Sequence, residues 1–218
     1  KRTAQRLAAL AASWLFAAAG ALGYDTFTEG GFIYETTRIS GNVDIVGWEP
    51  VLETIYGDTL HVPASVTHNG KEYKVNSIYF GALGGLTAVR SVVIGEGIER
   101  VCRDAFAFCA NLESVYIPAS VTVVGSGAFG GCYSLKSIKV DPRNENLDSR
   151  DDCNAVIYTE DDMLEAACPA TKIPPSVKTI EEYAFLNLNT IEELVIPEGV
   201  TSIKMDAFDG CSSLRKVT

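Results

Sequence analysis

A 23-residue repeat is the feature that most constrains the fold of this chain. An Ala-Phe pair marks the units at residues 105–106, 128–129, 184–185 and 207–208, and Ala82-Leu83 is a variant of it. Two of the three intervals between the aromatic residues are 23, and the interval from Phe129 to Phe185 is 56, which is one unit of 23 and one of 33. A single unit cannot bury its own apolar edge, so the repeat predicts stacked coils that share one core.

Other positions keep the same register. Three residues after each aromatic residue stand Cys109, Cys132, Leu188 and Cys211. In the unit around Phe129, the triplet Val115-Tyr116-Ile117 alternates as a short strand does, and Pro118 ends it because proline has no N–H for a ladder. Val123-Val124 is a second extended piece, and the glycine-rich residues 125–132 turn the corner. Each unit therefore predicts a strand, a turn, a short second strand and a tight helical or 3₁₀ turn.

The repeat resembles the BspA-type leucine-rich repeat over about residues 56–218. Residues 112–135, LESVYIPASVTVVGSGAFGGCYSL, match the pattern L-x-x-V-x-I-P-x-x-V-x-x-I-x-x-x-A-F-x-x-C-x-x-L nearly throughout. The resemblance implies a β-rich α/β solenoid, a right-handed coil stack with short strands and short helical or 3₁₀ turns, preceded by a small β cap. It also implies a secreted or surface protein like those of Bacteroidetes, with adhesion to host proteins or to other cells.

Three parts are predicted along the chain: a signal peptide at 1–23, an N-terminal β cap at 24–59 and a solenoid of about six coils at 60–218. The cap contains GFIYETT and ISGNVDIVGW, which we expect to form two strands. The first coil holds nine extra residues, 67–75, in which Asn69-Gly70 signals a type I′ hairpin. The 33-residue coil at 138–170 contains CNAVIYTEDDMLEAAC, which predicts a hairpin turning at Glu160-Asp161. Because the chain stops where another strand would begin, we expect it to be a truncated piece of a longer protein.

The first 23 residues are typical of a secretory signal peptide. Lys1, Arg2 and Arg6 precede an uncharged apolar run, and Ala19 and Ala21 offer an A-x-A cleavage site. The alternative is a single membrane anchor, but the run is short for a full span and its right flank carries no basic stop signal. We therefore expect export, with no membrane insertion after cleavage. The whole chain has a net charge of −10, so loss of these three positive charges leaves −13, and such an acidic surface disfavours nucleic acid.

The six cysteines fall into three groups. Cys109, Cys132 and Cys211 share a column with leucine, so we expect buried free thiols there, whereas Cys102 stands in a column of glycine and charged residues and should be at least partly exposed. The remaining two, Cys153 and Cys168, flank the predicted hairpin symmetrically, and a two- or four-residue loop would place them opposite each other. Opposed Cβ atoms lie about 4.5–5.5 Å apart, which is slightly wide for a disulfide but reachable with local twist. Export permits oxidation, so a disulfide and two packed thiols both stay open.

No catalytic, cofactor-binding or metal-binding residue is predicted. The only two histidines, His61 and His68, have no nucleophile or carboxylate at a spacing typical of a catalytic set. The acidic pairs Asp151-Asp152 and Asp161-Asp162 lack the spacing of a calcium loop, and the glycines fall at repeat corners rather than in a phosphate-binding loop. We therefore expect a protein that is not an enzyme.

The candidate ligand-facing strip is the outward position between the two buried strand residues of each coil. Up the stack it consists of His61, Val93, Tyr116, Lys139, Lys172 and Val195. A strip that mixes apolar, aromatic and charged residues can serve recognition, and an ordinary exposed sheet face is the alternative. The leading hypothesis is a secreted or cell-surface module that binds a host or bacterial surface protein. The second hypothesis is a structural spacer or scaffold that presents a downstream domain.

Overall fold

The computed structural model describes residues 24–38 and 41–218, so the predicted signal peptide lies outside the described residues. The N-terminal segment forms three strands and one helix, namely β1 (Thr26–Glu29), β2 (Phe32–Thr36), β3 (Asn42–Trp48) and α1 (Val51–Tyr56). Strands β2 and β3 are the two that the sequence predicts, whereas β1 and α1 are additional. Leu52 of α1 is fully buried, and the Glu53 carboxylate accepts a hydrogen bond from the Ala88 N–H at 2.7 Å. The helix is thereby tied to the first coils.

The repeats contribute short strands. The first group is β4 (Thr59–Val62), β5 (Ser65–His68), β6 (Lys71–Ile78), β7 (Ser91–Ile94), β8 (Arg100–Val101), β9 (Ser114–Ile117), β10 (Val123–Val124) and β11 (Ser137–Val140). The second group is β12 (Leu147–Asp148), β13 (Val156–Tyr158), β14 (Met163–Ala166), β15 (Thr179–Ile180), β16 (Glu193–Leu194), β17 (Ser202–Ile203) and β18 (Lys216–Val217). A single 3₁₀ turn, Arg150–Asp152, precedes β13.

Within the described residues the strands assemble into four sheets. One sheet has four parallel strands in the order β11-β9-β7-β4, and another has the order β1-β2-β3-β6-β8-β10 with β5 paired to β6. A five-stranded sheet follows the order β12-β13-β14-β15-β17, and β16 pairs with β18. Within the four-stranded sheet, Val115 lies opposite Ile138, so neighbouring coils are offset by one 23-residue unit.

Both predicted hairpins are confirmed. Strands β5 and β6 pair antiparallel around Asn69 and Gly70, which have φ of 50° and 77° as a type I′ turn requires. Strands β13 and β14 pair antiparallel with Tyr158 opposite Met163, which leaves the four-residue loop 159–162. The Ala-Phe corners, in contrast, are runs of hydrogen-bonded turns rather than helices. In one of them the Ala107 N–H donates to the Asp104 carbonyl at 2.9 Å.

The apolar interior consists of two clusters of buried residues. The first extends from the N-terminal strands through the coil of Phe129 into the 33-residue coil, as far as Cys168, and in it the Phe106 and Phe129 ring centroids lie 5.8 Å apart. The second belongs to the later coils, where Phe185 and Phe208 are stacked at 4.9 Å. The strand β14 contributes to both clusters. Within the residues that the structure describes, no helix is long and apolar enough to cross a bilayer.

The cysteine column behaves as its leucine members predict. Cys109 and Cys132 are buried, and each thiol donates at 3.2 Å to a carbonyl of the preceding coil. Cys211 and Cys102 are half-buried. The three residues of the repeat column are therefore core positions, with the last one partly open at the end of the described stack.

Candidate functional site

Four of the six strip residues lie side by side on the four-stranded sheet. His61 pairs with Val93, Val93 pairs with Tyr116, and Tyr116 pairs with Lys139. His61, Tyr116 and Lys139 are exposed and Val93 is half-buried, while the residues before and after each of them face the core. The alternation of short strands therefore places these four side chains on one open face, which we call the outward face.

The structure separates Lys172 and Val195 from this face. The ladder ends at β11, and Lys172 lies in no strand. Its N–H donates to the Cys153 carbonyl at 3.0 Å. Val195 is 66% exposed and follows the separate pair β16–β18. The ten extra residues of the 33-residue coil interrupt the stack of first strands, so the strip is not continuous over six coils.

Polar rows flank the outward face. At the start of the strands, the Ser114 hydroxyl donates to the Ser91 hydroxyl at 2.9 Å. One residue earlier, Glu113 pairs with both Arg90 and Lys136, at 2.5 Å and 3.2 Å. These ion pairs hold the pKa of the Glu113 carboxyl below its usual value, with the hydrogen bond from Lys136 as the larger cause. The face is therefore bordered by ordered charges, as the rim of a protein interface is.

A charged cluster closes the other end of the strands. The Tyr116 hydroxyl donates to Asp141 Oδ2 at 2.5 Å, and the Arg143 guanidinium donates to the same oxygen at 2.7 Å. The hydrogen bonds from Arg143 and then Tyr116 hold the pKa of the Asp141 carboxyl well below its usual range. The bond to this carboxylate also raises the pKa of the Tyr116 phenol. Tyr116 is thus fixed in orientation, and the residue as a whole stays 37% exposed.

The segment that follows β11 is held by one buried amide. Asn144 donates through Nδ2 to the carbonyls of Pro118 and Val121 at 3.0 and 2.7 Å, and its Oδ1 accepts from the N–H groups of Asn146 and Leu147 at 2.9 Å each. All four hydrogen-bonding positions of this side chain are therefore used.

A cavity of about 290 Å³ lies beside the end of β11. Its lining comes from Val140 and Asp141 at the end of β11 and from the segment around Asn144 and Arg150. The Ser149 hydroxyl accepts from the Val140 N–H at 3.1 Å and so satisfies an edge group of β11. The cavity adjoins the outward face through Asp141, which binds Tyr116.

The β13–β14 hairpin, which lies between Cys153 and Cys168, has an irregular register. Val156 lies opposite Ala166 but Ile157 lies opposite Leu164, so a bulge shifts the strands by one residue between the turn and the cysteines. Both cysteines are buried free thiols, and they belong to different core clusters. Burial raises the pKa of the Cys153 thiol to about 11.

Sequence reasoning missed Asp141, Arg143 and Asn144. Their signal is the run Asp141-Pro142-Arg143-Asn144, which comes directly after a strand and contains side chains that bind nearby backbone groups. His68 is half-buried, since it stacks on Phe27 at 4.2 Å and binds Glu29 at 2.9 Å. Across residues 24–38 and 41–218, no group of three or more His, Cys, Asp or Glu side chains has the arrangement of a metal site.

Repeated coils with parallel ladders and an open sheet face define a leucine-rich repeat protein, a class that serves protein interaction in general. The chain belongs to the BspA-type leucine-rich repeat family. The family model for the BspA type leucine rich repeat region matches it in six copies over residues 64–151 and 166–218. The unmatched residues between these ranges contain the β13 strand and most of its hairpin, where the structure departs from the 23-residue register.

Solved structures of bacterial leucine-rich repeat proteins resemble this chain. A leucine-rich repeat protein from Bacteroides ovatus is 29% identical with a TM-score of 0.53, and the match covers 88% of this chain and 40% of that protein. The T. pallidum leucine-rich repeat protein is 19% identical with a TM-score of 0.50, and the match covers 88% of this chain and 71% of that one. This chain therefore spans two fifths of the Bacteroides protein. No curated protein matches it significantly.

Proposed function

We propose that this chain is an exported binding module that recognises a protein partner through its outward face. The observation that carries the proposal is the in-register alignment of His61, Val93, Tyr116 and Lys139 on one open sheet. Aromatic and basic side chains that are held in place favour association, because less conformational freedom is lost on binding. The hydrogen bond from the Tyr116 hydroxyl to Asp141 holds the Tyr116 side chain in place in this way.

We also propose a finer architecture for this chain and a location outside the cell. The coils of residues 60–218 form a right-handed solenoid, residues 24–59 cap its first coil, and residues 1–23 direct export. The partner is a host or bacterial surface protein, and the role is interaction or adhesion rather than catalysis. Membership of the leucine-rich repeat family supports a binding role in general.

Two lysines of the predicted strip provide a matched test of the face. Lys139 belongs to the ladder and Lys172 lies outside it, and both side chains are exposed. Residues 24–218 and the variants Tyr116→Ala, Lys139→Ala and Lys172→Ala would be passed over immobilised extracellular-matrix and mucosal proteins in a surface plasmon resonance assay.

We expect saturable binding that Tyr116→Ala weakens about tenfold or more, as aromatic anchors of interfaces do. Lys139→Ala should weaken it less, and Lys172→Ala should leave it unchanged. Equal loss for the two lysine variants would contradict the assignment of the face, and absence of any saturable partner would contradict the binding function. Edman sequencing of the protein secreted from cells that express the full chain should begin at Tyr24.

A further inference from the structure

Glu165 is a buried carboxyl group at the junction of the two core clusters. The bulge in the β13–β14 hairpin makes it the extra residue between Leu164 and Ala166, and its exposed fraction is 6%. Leu164 belongs to the second cluster and Ala166 belongs to the first. A titratable side chain therefore lies where one half of the apolar interior ends and the other begins.

A second carboxyl group faces it. Leu164 pairs in parallel with Ile180, and the Glu181 N–H donates to the Leu164 carbonyl at 2.9 Å, so the next residues, Glu165 and Glu181, come side by side. Like charges at neighbouring positions of a sheet repel each other. On this geometry alone, two ionised carboxylates would oppose the pairing of β14 with β15.

The other groups around Glu165 offset its charge only in part, because a hydrogen bond from Ser126 lowers its pKa by less than burial and the Glu181 charge raise it. The Ser126 hydroxyl forms a hydrogen bond with it, and Tyr158 faces it from β13 with its phenol bound to the Val124 backbone at 3.0 and 3.1 Å. Burial raises the pKa of the Tyr158 phenol, and the Arg100 charge acts in the opposite direction on that pKa. Burial, and then the Glu181 charge, raise the pKa of Glu165 to about 8. The neutral acid is accordingly the form that this environment accepts.

We propose that the junction between the two core clusters is a pH-sensitive hinge that stays closed while Glu165 is protonated. Ionisation introduces a buried charge beside Glu181, which weakens the β14–β15 pairing and lets the two halves of the stack separate locally. The Ser126 hydroxyl of the adjoining coil loses its partner on opening, while the coils farther from the junction remain folded.

The sign of the pH effect on hinge opening follows from the pKa of Glu165 in the closed and in the opened hinge. An opened hinge exposes Glu165 to water and returns its pKa towards 4.5, whereas the closed form keeps it near 8. The closed form therefore binds more protons between these values, so its stability falls as pH rises from about 5 to 8 and is then constant. Within that window the equilibrium for opening should rise by about tenfold per pH unit.

Hydrogen exchange followed by mass spectrometry would measure this opening in residues 24–218. Peptides covering 153–168 report on the hinge, and peptides covering 83–97, in a coil farther from Glu165, are the internal standard. After correction for the intrinsic exchange rate, wild-type protection at the hinge should fall from pH 5 to pH 8 relative to the standard. Glu165→Gln, a neutral isostere, should remove that dependence, and Glu160→Gln at the exposed hairpin tip should keep it.

Glu181→Gln supplies a second test that leaves Glu165 in place. Loss of the neighbouring charge should move the end of the pH window below 8 while the dependence itself remains. An unchanged slope in Glu165→Gln would overturn the proposal. Parallel loss of protection in both wild-type regions would overturn it too, because it would show global unfolding instead of a hinge.

Discussion

The regular coils of residues 89–137 and the 33-residue coil of residues 138–170 fold by different means. In the regular coils, contacts recur every 23 residues, as Phe106 stacks on Phe129 and Ser91 pairs with Ser114. Residues 112–137 contain one acidic and one basic side chain, whereas residues 138–170 contain nine acidic and three basic ones. In the longer coil side chains replace ladders: Asn144 and Ser149 bind the Leu147 and Val140 N–H groups of the coil itself, and the Tyr158 hydroxyl binds the Val124 backbone of the preceding coil.

The difference shows how a repeat array tolerates an insertion. A coil that keeps the register derives its stability from its neighbours, because each apolar side chain packs against the same position one unit away. A coil that leaves the register loses those contacts and needs specific polar side chains to replace them. The regular coils should therefore be sensitive to lost volume, and the longer coil should be sensitive to lost hydrogen bonds.

The largest effect is expected from Phe129→Ala. The ring is buried between coils, so its removal leaves a cavity and should lower the free energy of unfolding by about 3–5 kcal/mol. Phe208→Ala is the matched control, because Phe208 occupies the same column but is only half-buried, and it should cost clearly less. Urea unfolding followed by circular dichroism would measure both. An unchanged midpoint for Phe129→Ala would refute the stacked-Phe core.

A smaller effect is expected from Asn144→Ala in the longer coil. The substitution leaves the Val121 carbonyl and two N–H groups without this partner, while the Pro118 carbonyl keeps the Val121 N–H, and we expect a loss of about 2–3 kcal/mol. Asn146→Ala, two residues away on an exposed side chain, is the control and should have little effect. The same urea titration applies. Equal midpoints for the two alanine variants would show that the segment does not depend on this amide.

The sequence allowed the regular part of the molecule to be predicted because its signals repeat. The Ala-Phe interval placed Phe106 on Phe129, and Asn69-Gly70 placed the first hairpin, since only that pair gives two positive φ angles at low cost. The column that holds Cys109 and Leu188 indicated buried positions. These inferences rest on several copies of one pattern or on strong local backbone preferences.

The parts that depend on single, non-repeated contacts could not be predicted. The repeat pattern predicts a strip that continues to Lys172, but the insertion ends the ladder of first strands at β11. No residue pattern signals that the next coil lacks this strand. The burial of Glu165 follows from a bulge, which changes the side of the hairpin on which each later residue lies. Helix α1 is six residues long, too short to give a clear period.

The smallest effect is expected at Cys153 and Cys168, where we predict that reduction changes nothing. The bulge removes their opposition, and the structure holds each as a free thiol in a different cluster. Thermal unfolding of residues 24–218 should therefore give the same midpoint with and without dithiothreitol. Alkylation after denaturation should label both cysteines, as seen by mass spectrometry of unreduced tryptic peptides. A disulfide would close a loop of about 15 residues and contribute about 3 kcal/mol. A midpoint that falls on reduction, with a cross-linked peptide pair, would show that the longer coil is held covalently rather than by its polar side chains.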